Sequence, residues 1–170
     1  MNSKFHHLRR LLGLVGDGST DERDEASVRV PIPRSAESPI GQERVKRILI
    51  MSQDEDIRFL LSVRSQMREC FDECLESGDA ESALRAAKRT QPDVVVVHLL
   101  WATPEECAVV TALKVVSPRS SVVAYSNLLW ADTQAVATQA GADRYVTARG
   151  SIVAIMDEAE KVLRERESNF

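Results

Sequence analysis

His98 is the side chain with the most chemical potential in this sequence, because it ends a predicted buried strand. The run PDVVVVHLLW (92–101) places it directly after four consecutive valines. A histidine there could act as a general base, a metal ligand or a phosphate acceptor, since its pKa lies near neutrality. Catalysis and metal binding both need partner side chains. The other two histidines, His6 and His7, lie far away in the N-terminal segment.

Polar residues also follow two other apolar runs. Ser52, Gln53 and Asp54 come directly after VKRILIM, and Ser126 ends SVVAYS. Because the carboxyl ends of parallel strands meet at one edge of a sheet, we expect these residues to share a pocket with His98. No carboxylate stands at an obvious position to orient the imidazole. We therefore predict no catalytic residue, no metal and no cofactor, and interpret the histidine as a neutral, hydrogen-bonding residue that fills the pocket. Ligand contact and a pH-sensitive switch are the alternatives.

Strand and helix patterns alternate regularly after residue 44, and these elements must position the pocket. Five β–α units with short connections and right-handed crossovers predict an α/β fold, a doubly wound five-stranded parallel sheet with helices on both faces. The predicted strands are 45–51, 72–78, 93–100, 121–126 and 144–147, and the predicted helices are 54–69, 79–89, 104–116, 131–140 and 152–163.

Apolar spacing predicts the inward faces of the helices. Asp54 is the expected N-cap of the first helix. Cys107 is expected to point into the core rather than to bind a metal. One face of the first helix is predicted to carry Ile57, Leu60, Leu61, Arg64 and Met67.

Residues 1–44 have a different composition and are predicted to form a flexible N-terminal arm and linker. They hold four of the seven glycines and three of the six prolines. Two interpretations of the first residues stay open: a basic amphipathic helix that docks on a partner or an anionic membrane, and a helix that frays or rests on its own domain. The apolar positions at helical spacing are Phe5, Leu8, Leu11, Leu12 and Val15.

Composition excludes several classes of protein. The net charge of −4 argues against nucleic-acid binding, which normally requires a basic face. Three cysteines, without a second pair at zinc-finger spacing, favour a reducing, cytoplasmic setting. No apolar run approaches the ~20 residues of a membrane span. The apolar segment 11–15, interrupted by Gly13, is too short for a signal peptide.

Five stretches of the sequence resemble the receiver domain of bacterial response regulators. Ser126 also stands fifteen residues before Gly141, as the hydroxyl residue of a receiver does before its glycine. The resemblance covers residues 45–167 and implies the flavodoxin-like (βα)5 fold for that domain. The stretches are RILIMSQDEDIRFLL (47–61), ESGDAESAL (76–84), PDVVVVHLLW (92–101), SVVAYSN (121–127) and AGADRYVTARG (140–150).

The resemblance also implies a chemistry that most residues here do not match. A receiver phosphorylates an aspartate after its third strand, and uses two acids for Mg²⁺, a lysine and a hydroxyl; metal and cation offset the phosphoryl charge. The hydroxyl matches at Ser126, and the aromatic residue of the fifth strand matches at Tyr145. The positions of the degenerate phosphorylation pocket are Ser52 and Gln53 for the acids, with Asp54 next to them, His98 for the acceptor, and Ala148 for the lysine, with Arg149 next to it.

Aromatic residues near the pocket suggest an interaction surface. In receivers the ring at the position of Tyr145 moves as the hydroxyl residue moves; here it is interpreted as fixed by packing or as a two-state element. Trp101 and Trp130 are predicted on loops at the carboxyl edge of the sheet. The resemblance implies protein partners, and a homodimer through helix 4, strand 5 and helix 5.

These observations favour a pseudo-receiver, a non-enzymatic signalling module that binds protein partners in a two-component-type pathway without aspartyl phosphorylation. A small-molecule sensor that uses the uncharged pocket is the alternative. An enzyme that pairs His98 with Ser126 is the weakest hypothesis, because no acid orients the ring.

Overall fold

A computed structural model describes residues 44–127, 132–147 and 151–168, together with the two-residue strand Val30–Pro31. Five predictions concern residues that lie wholly or mostly outside these ranges: the flexible arm over residues 1–44, the amphipathic segment 5–15, and the residues Trp130, Ala148 and Arg149.

Five parallel strands form the sheet where the sequence has its apolar runs. They are β1 (Arg47–Met51), β2 (Glu73–Ser77), β3 (Val94–His98), β4 (Ser121–Ser126) and β5 (Arg144–Thr147). Their order across the sheet is β2-β1-β3-β4-β5, and every neighbouring pair is parallel. All five residues of β3 are buried. A run of four valines suits this central position, because helices cover both faces of the strand.

Five helices connect the strands and enclose two cores. They are α1 (Glu55–Gln66), α2 (Ala80–Thr90), α3 (Pro104–Val116), α4 (Thr133–Gln139) and α5 (Ile152–Ser168). One core lies between the sheet and helices α2, α3 and α4, and it includes Cys107 as predicted. The other lies between the sheet and helices α1 and α5. The predicted doubly wound parallel sheet is confirmed.

The sheet has one strand more than the sequence predicts. Val30–Pro31 pairs antiparallel with β2, with Val30 opposite Cys74 and Pro31 opposite Glu73. These two residues are predicted to belong to the arm, since a pair of residues is too short to show alternation. Proline is tolerated on an edge strand. The pairing shields the outer edge of β2, which would otherwise present unpaired backbone groups.

The predicted inward face of α1 is wrong in part. Leu60 and Met67 are 50% and 68% exposed, whereas Leu61, Ser62 and Ser65 are buried. Apolar residues lie on both sides of this helix, so spacing alone could not identify the buried side. The buried hydroxyls are satisfied: Ser65 donates to the Ser62 carbonyl at 2.7 Å, and Ser62 accepts from a cysteine thiol of β2 at 3.7 Å.

Candidate functional site

Ser52 and His98 meet at the carboxyl edge of the sheet. Met51 pairs with Val97 in the parallel register of β1 and β3, so the next residue of each strand lies beside the other. The Ser52 hydroxyl oxygen and His98 Nδ1 are 2.9 Å apart and share a hydrogen bond. The serine is fully buried and the histidine is 7% exposed. The structure therefore brings together two of the predicted pocket residues.

Tyr125 completes this assembly, and the sequence analysis did not identify it. It pairs in register with His98 across β3 and β4. The two rings are stacked, with centroids 4.6 Å apart and planes inclined by 3°. The tyrosine is buried, and its hydroxyl has no hydrogen-bond partner among the residues that the structure describes. Counting back from Ser126 along aligned parallel strands could have found this neighbour.

The β1–α1 loop holds Ser52 in place from several sides. The Asp54 backbone N–H donates to the Ser52 hydroxyl oxygen at 3.2 Å. The Arg58 guanidinium donates to the Ser52 carbonyl at 2.7 Å. Asp54 is the N-cap of α1, as predicted, because its carboxylate accepts the Ile57 N–H at 3.0 Å. The Asp54 carboxylate, two residues from the serine in sequence, thus serves as the N-cap of α1.

Burial keeps the imidazole neutral. It lowers the pKa of His98, and the negative charges of Asp54 and Glu106 offset this only in part. Burial likewise raises the pKa of Tyr125, although the nearby Ser52 hydroxyl lowers it somewhat. A neutral histidine stacked on a neutral tyrosine needs no counter-ion. This agrees with the interpretation of His98 as a hydrogen-bonding residue that fills the pocket.

Folding stability should depend on pH through His98. Since its folded-state pKa is lowered, the unfolded chain binds the proton more readily than the native state. The free energy of unfolding should therefore fall as pH drops from the ordinary histidine value of about 6.5 toward the folded-state pKa. Urea unfolding of the wild type and of His98→Gln at pH 7.5, 6.5 and 5.5 would measure this. We expect a shallower dependence in the variant; equal slopes would contradict a neutral, buried imidazole.

The predicted pocket is divided in two. His98 and Gln53 line a cavity of about 130 Å³ beside helices α2 and α3. Ser52 does not line it; this serine contacts His98 in the assembly that includes the Tyr125 ring. The remainder of the lining is Met51, Ala80, Leu84, Leu99, Leu100, Glu105, Glu106 and Val109.

Ser126 and Trp101 do not line this cavity. Ser126 ends β4 and is fully buried. Trp101 lies in the loop after β3 with 57% of its surface exposed, and its backbone N–H donates to a Glu106 carboxylate oxygen at 2.8 Å. In the part of the chain that the structure describes, the serine is enclosed and the indole is exposed, so neither side chain joins His98 and Gln53 in this cavity.

Tyr145 is held against α4. Its hydroxyl donates to Thr133 Oγ1 at 2.9 Å, and its half-buried ring packs against the core on the α2–α4 side. The hydrogen bond and the packing agree with a ring fixed in one position. Whether a partner moves the ring stays a prediction.

The residues at the pocket do not fit Mg²⁺. Magnesium prefers oxygen ligands, usually one or two carboxylates with several waters. The positions of the metal acids hold Ser52 and Gln53, the acceptor position holds the nitrogen base His98, and the Asp54 carboxylate caps α1. Within the described ranges, no group of three or more histidine, cysteine, aspartate or glutamate residues could hold a metal. We derive no chemical step through a metal here.

The chain is similar to receiver proteins in sequence and in fold, although no protein-family model matches it. It is 27% identical over 122 residues to the transcriptional regulatory protein PrrA of Mycobacterium tuberculosis, an alignment that covers 72% of this chain and 52% of PrrA. The chain thus spans about half the length of the curated relatives it matches.

Two solved structures illustrate the likeness of the fold. A CheY-like receiver domain from Methanospirillum hungatei aligns with a TM-score of 0.65 and 15% identity, covering 75% of this chain and all of that domain. A protein described as an atypical orphan response regulator with a phosphorylation-independent regulatory mechanism aligns with a TM-score of 0.59 and 18% identity, covering 69% and 95%. No described helix is long and apolar enough to cross a membrane. Sequence and fold together support a CheY-like receiver domain of the kind found in response regulators.

Proposed function

We propose that this chain is a pseudo-receiver, which signals in a two-component-type pathway by binding protein partners and is not phosphorylated on an aspartate. The observation that carries the proposal is the assembly of Ser52, His98 and Tyr125. The histidine stands where the resemblance places the phosphate acceptor. Its Nδ1 shares a hydrogen bond with Ser52, and one face of its ring is stacked on Tyr125. The phosphorylation-independent mechanism given for the similar orphan regulator supports the same reading.

The charge around the pocket supports this proposal. A receiver stabilises a transferring phosphoryl group with a metal ion and a cation. Among the described residues, the charges that act on the pKa of His98 are the carboxylates of Asp54 and Glu106, whereas the nearby Arg58 guanidinium is bonded to the Ser52 carbonyl. Like charges oppose the approach of a phosphate donor. We accordingly propose that the protein is not an enzyme and needs no cofactor.

Beryllofluoride, which mimics a phosphoryl group on aspartate, gives a test. The amide spectrum of the wild-type chain should stay unchanged when beryllofluoride and Mg²⁺ are added. His98→Asp alone should not respond either, because Ser52 and Gln53 still replace the metal acids. A receiver that responds to beryllofluoride, treated in parallel, is the control. Chemical-shift changes spreading from β3 in either version of this chain would contradict the proposal.

The partner-binding surface that we propose consists of α4, β5 and α5. Arg144 on β5 forms ion pairs with Glu158 and Glu165 on α5, so charged side chains of both elements lie together on this surface. Tyr145 is attached to α4 next to them. A homodimer or a heterologous protein partner could use this surface. We do not propose a nucleic-acid partner, since the chain is acidic overall.

The proposed setting is the cytoplasm. Cys70, Cys74 and Cys107 are all free thiols, which suits a reducing compartment. Burial raises the pKa of Cys70 and of Cys107 to about 11, so neither is activated as a thiolate.

Small-molecule sensing is a second candidate, favoured by the cavity beside His98. Its volume of about 130 Å³ is below the roughly 300 Å³ at which drug-sized pockets begin, so only a small, mainly apolar ligand would fit. A thermal-shift panel of metabolites would test it, because a ligand that binds the native state raises its stability. A shift that Val109→Phe abolishes would favour sensing over protein binding alone.

A further inference from the structure

The outer surface of α1 is more apolar than its buried side. We call this surface the α1 patch; it consists of Phe59, Leu60, Val63 and Met67, which are 62%, 50%, 38% and 68% exposed. They are half of the eight large hydrophobic side chains exposed in the described part of the chain. Residues 59, 63 and 67 repeat at a spacing of four, so they form one stripe. Contiguous exposed apolar patches often mark an interaction site.

The described part of the arm pairs with a strand against which this helix packs. α1 packs on β1 and β2, and the edge strand Val30–Pro31 pairs with the other side of β2. Val30 is opposite Cys74 and Pro31 is opposite Glu73, so the edge strand runs antiparallel to β2 and its amino-terminal end points toward the carboxyl end of β2. That is the edge of the sheet at which α1 begins.

The length of chain before the edge strand is sufficient to reach the α1 patch. Residues 16–29, fourteen in number, can span up to about 45 Å when extended. The twelve residues of α1 extend over only about 18 Å. A segment that ends at residue 15 can therefore lie along the whole helix.

The first residues of the chain complement the patch in apolarity and charge. Residues 4–15 have an apolar stripe at helical spacing and the three cations Lys4, Arg9 and Arg10. The exposed acids Asp54, Glu55 and Asp56 stand together at the start of α1. These acids disfavour an anionic membrane as the occupant of the patch. The half-buried Arg58 and Arg64 are the basic residues of the same helix.

The size of the patch favours one short helix over a second copy of the chain. A standard protein interface buries about 800 Å² on each partner, which is more than four partly exposed side chains can supply. A helix of about twelve residues is marginal in water by itself, and gains stability only by packing its apolar face. From these observations we propose that residues 4–15 fold as a helix onto the α1 patch of the same molecule and cover it.

Hydrogen exchange of the full-length chain tests this cover. The double variant Leu8→Asp/Leu12→Asp places two charges in the apolar stripe of the arm, outside the folded domain. Peptides from residues 55–67 should exchange several-fold faster in this variant than in the wild type, whereas peptides from α4 should not change. Ser3→Asp/Ser19→Asp adds the same charge off the stripe and should behave like the wild type. Unchanged protection of α1 in the stripe variant would overturn the proposal.

A photo-cross-linker identifies the occupant directly. With p-benzoylphenylalanine at position 59, illumination should join the patch to residues 4–15 within one chain, at the mass of a monomer. A product at twice that mass, formed in proportion to protein concentration, would show that a second copy covers the patch and would overturn the assignment to the arm. The absence of any cross-link to residues 4–15 would do the same.

Discussion

Tyr125→Ala is expected to lower the free energy of unfolding by about 3 to 5 kcal/mol, the range found when a large buried aromatic side chain is removed. The ring is 1% exposed, packs in the core beneath α1 and α5, and carries the His98 imidazole on its face. Its loss leaves a cavity and removes the stacking partner of the histidine. Urea unfolding followed by circular dichroism would measure the change as a shift of the midpoint at constant slope.

Tyr125→Phe separates the ring from the hydroxyl. Because this hydroxyl is buried without a hydrogen-bond partner in the described structure, removing it should leave stability within about 1 kcal/mol of the wild type or raise it. If the phenylalanine variant lost as much stability as the alanine variant, the hydroxyl rather than the stacked ring would support the site. A loss below about 1 kcal/mol in Tyr125→Ala would show that the ring is not packed as described.

Asp93→Ala should have the second large effect, of about 3 kcal/mol, because Asp93 joins three elements at the amino-terminal edge of the sheet. Its carboxylate is buried and accepts the Arg47 N–H at 2.9 Å and an Arg44 guanidinium N–H at 2.8 Å. Arg166 of α5 donates to its carbonyl at 3.1 Å and lies 3.9 Å from the carboxylate. Without the carboxylate, the partly buried Arg47 N–H loses its acceptor, and the largely buried Arg166 guanidinium loses a neighbouring anion while it keeps its bond to the Asp93 carbonyl.

Arg44→Ala is the matched control for this cluster. The Arg44 side chain is 65% exposed, so its ion pair with Asp93 is screened by water and should contribute less than about 1 kcal/mol. Chemical denaturation of both variants should therefore rank Asp93→Ala well below Arg44→Ala in stability. Equal losses would show that the exposed ion pair, rather than the buried hydrogen bonds, supports the cluster.

The sequence predicts the fold well because the relevant signals are local. The four valines of β3, the cap Asp54, and the proline at the start of α3 each indicate an element where the structure has one. The pairing of Ser52 with His98 also follows from sequence, since both lie at the carboxyl ends of neighbouring parallel strands.

What the sequence could not predict depends on register and on tertiary contacts. The stacking of Tyr125 on His98 requires the alignment of β3 with β4, which no single strand reveals. Which side of α1 is buried depends on its contacts with β2, where Cys74 meets Ser62. Ser62 and Ser65 are buried there, whereas Phe59 and Met67 are exposed. The edge strand Val30–Pro31 is too short to have a periodicity of its own.

Intact-mass spectrometry after incubation with Mg²⁺ and a small phosphodonor tests the central claim most directly. It would be run on the wild type and on His98→Asp, beside a receiver that is phosphorylated under the same conditions. We predict that neither version of this chain gains a phosphoryl group, since Ser52 and Gln53 stand where the metal acids would be needed and His98 is buried against Tyr125. An added phosphoryl group on the wild-type chain, mapped to any residue at the carboxyl edge of β3, would contradict the account.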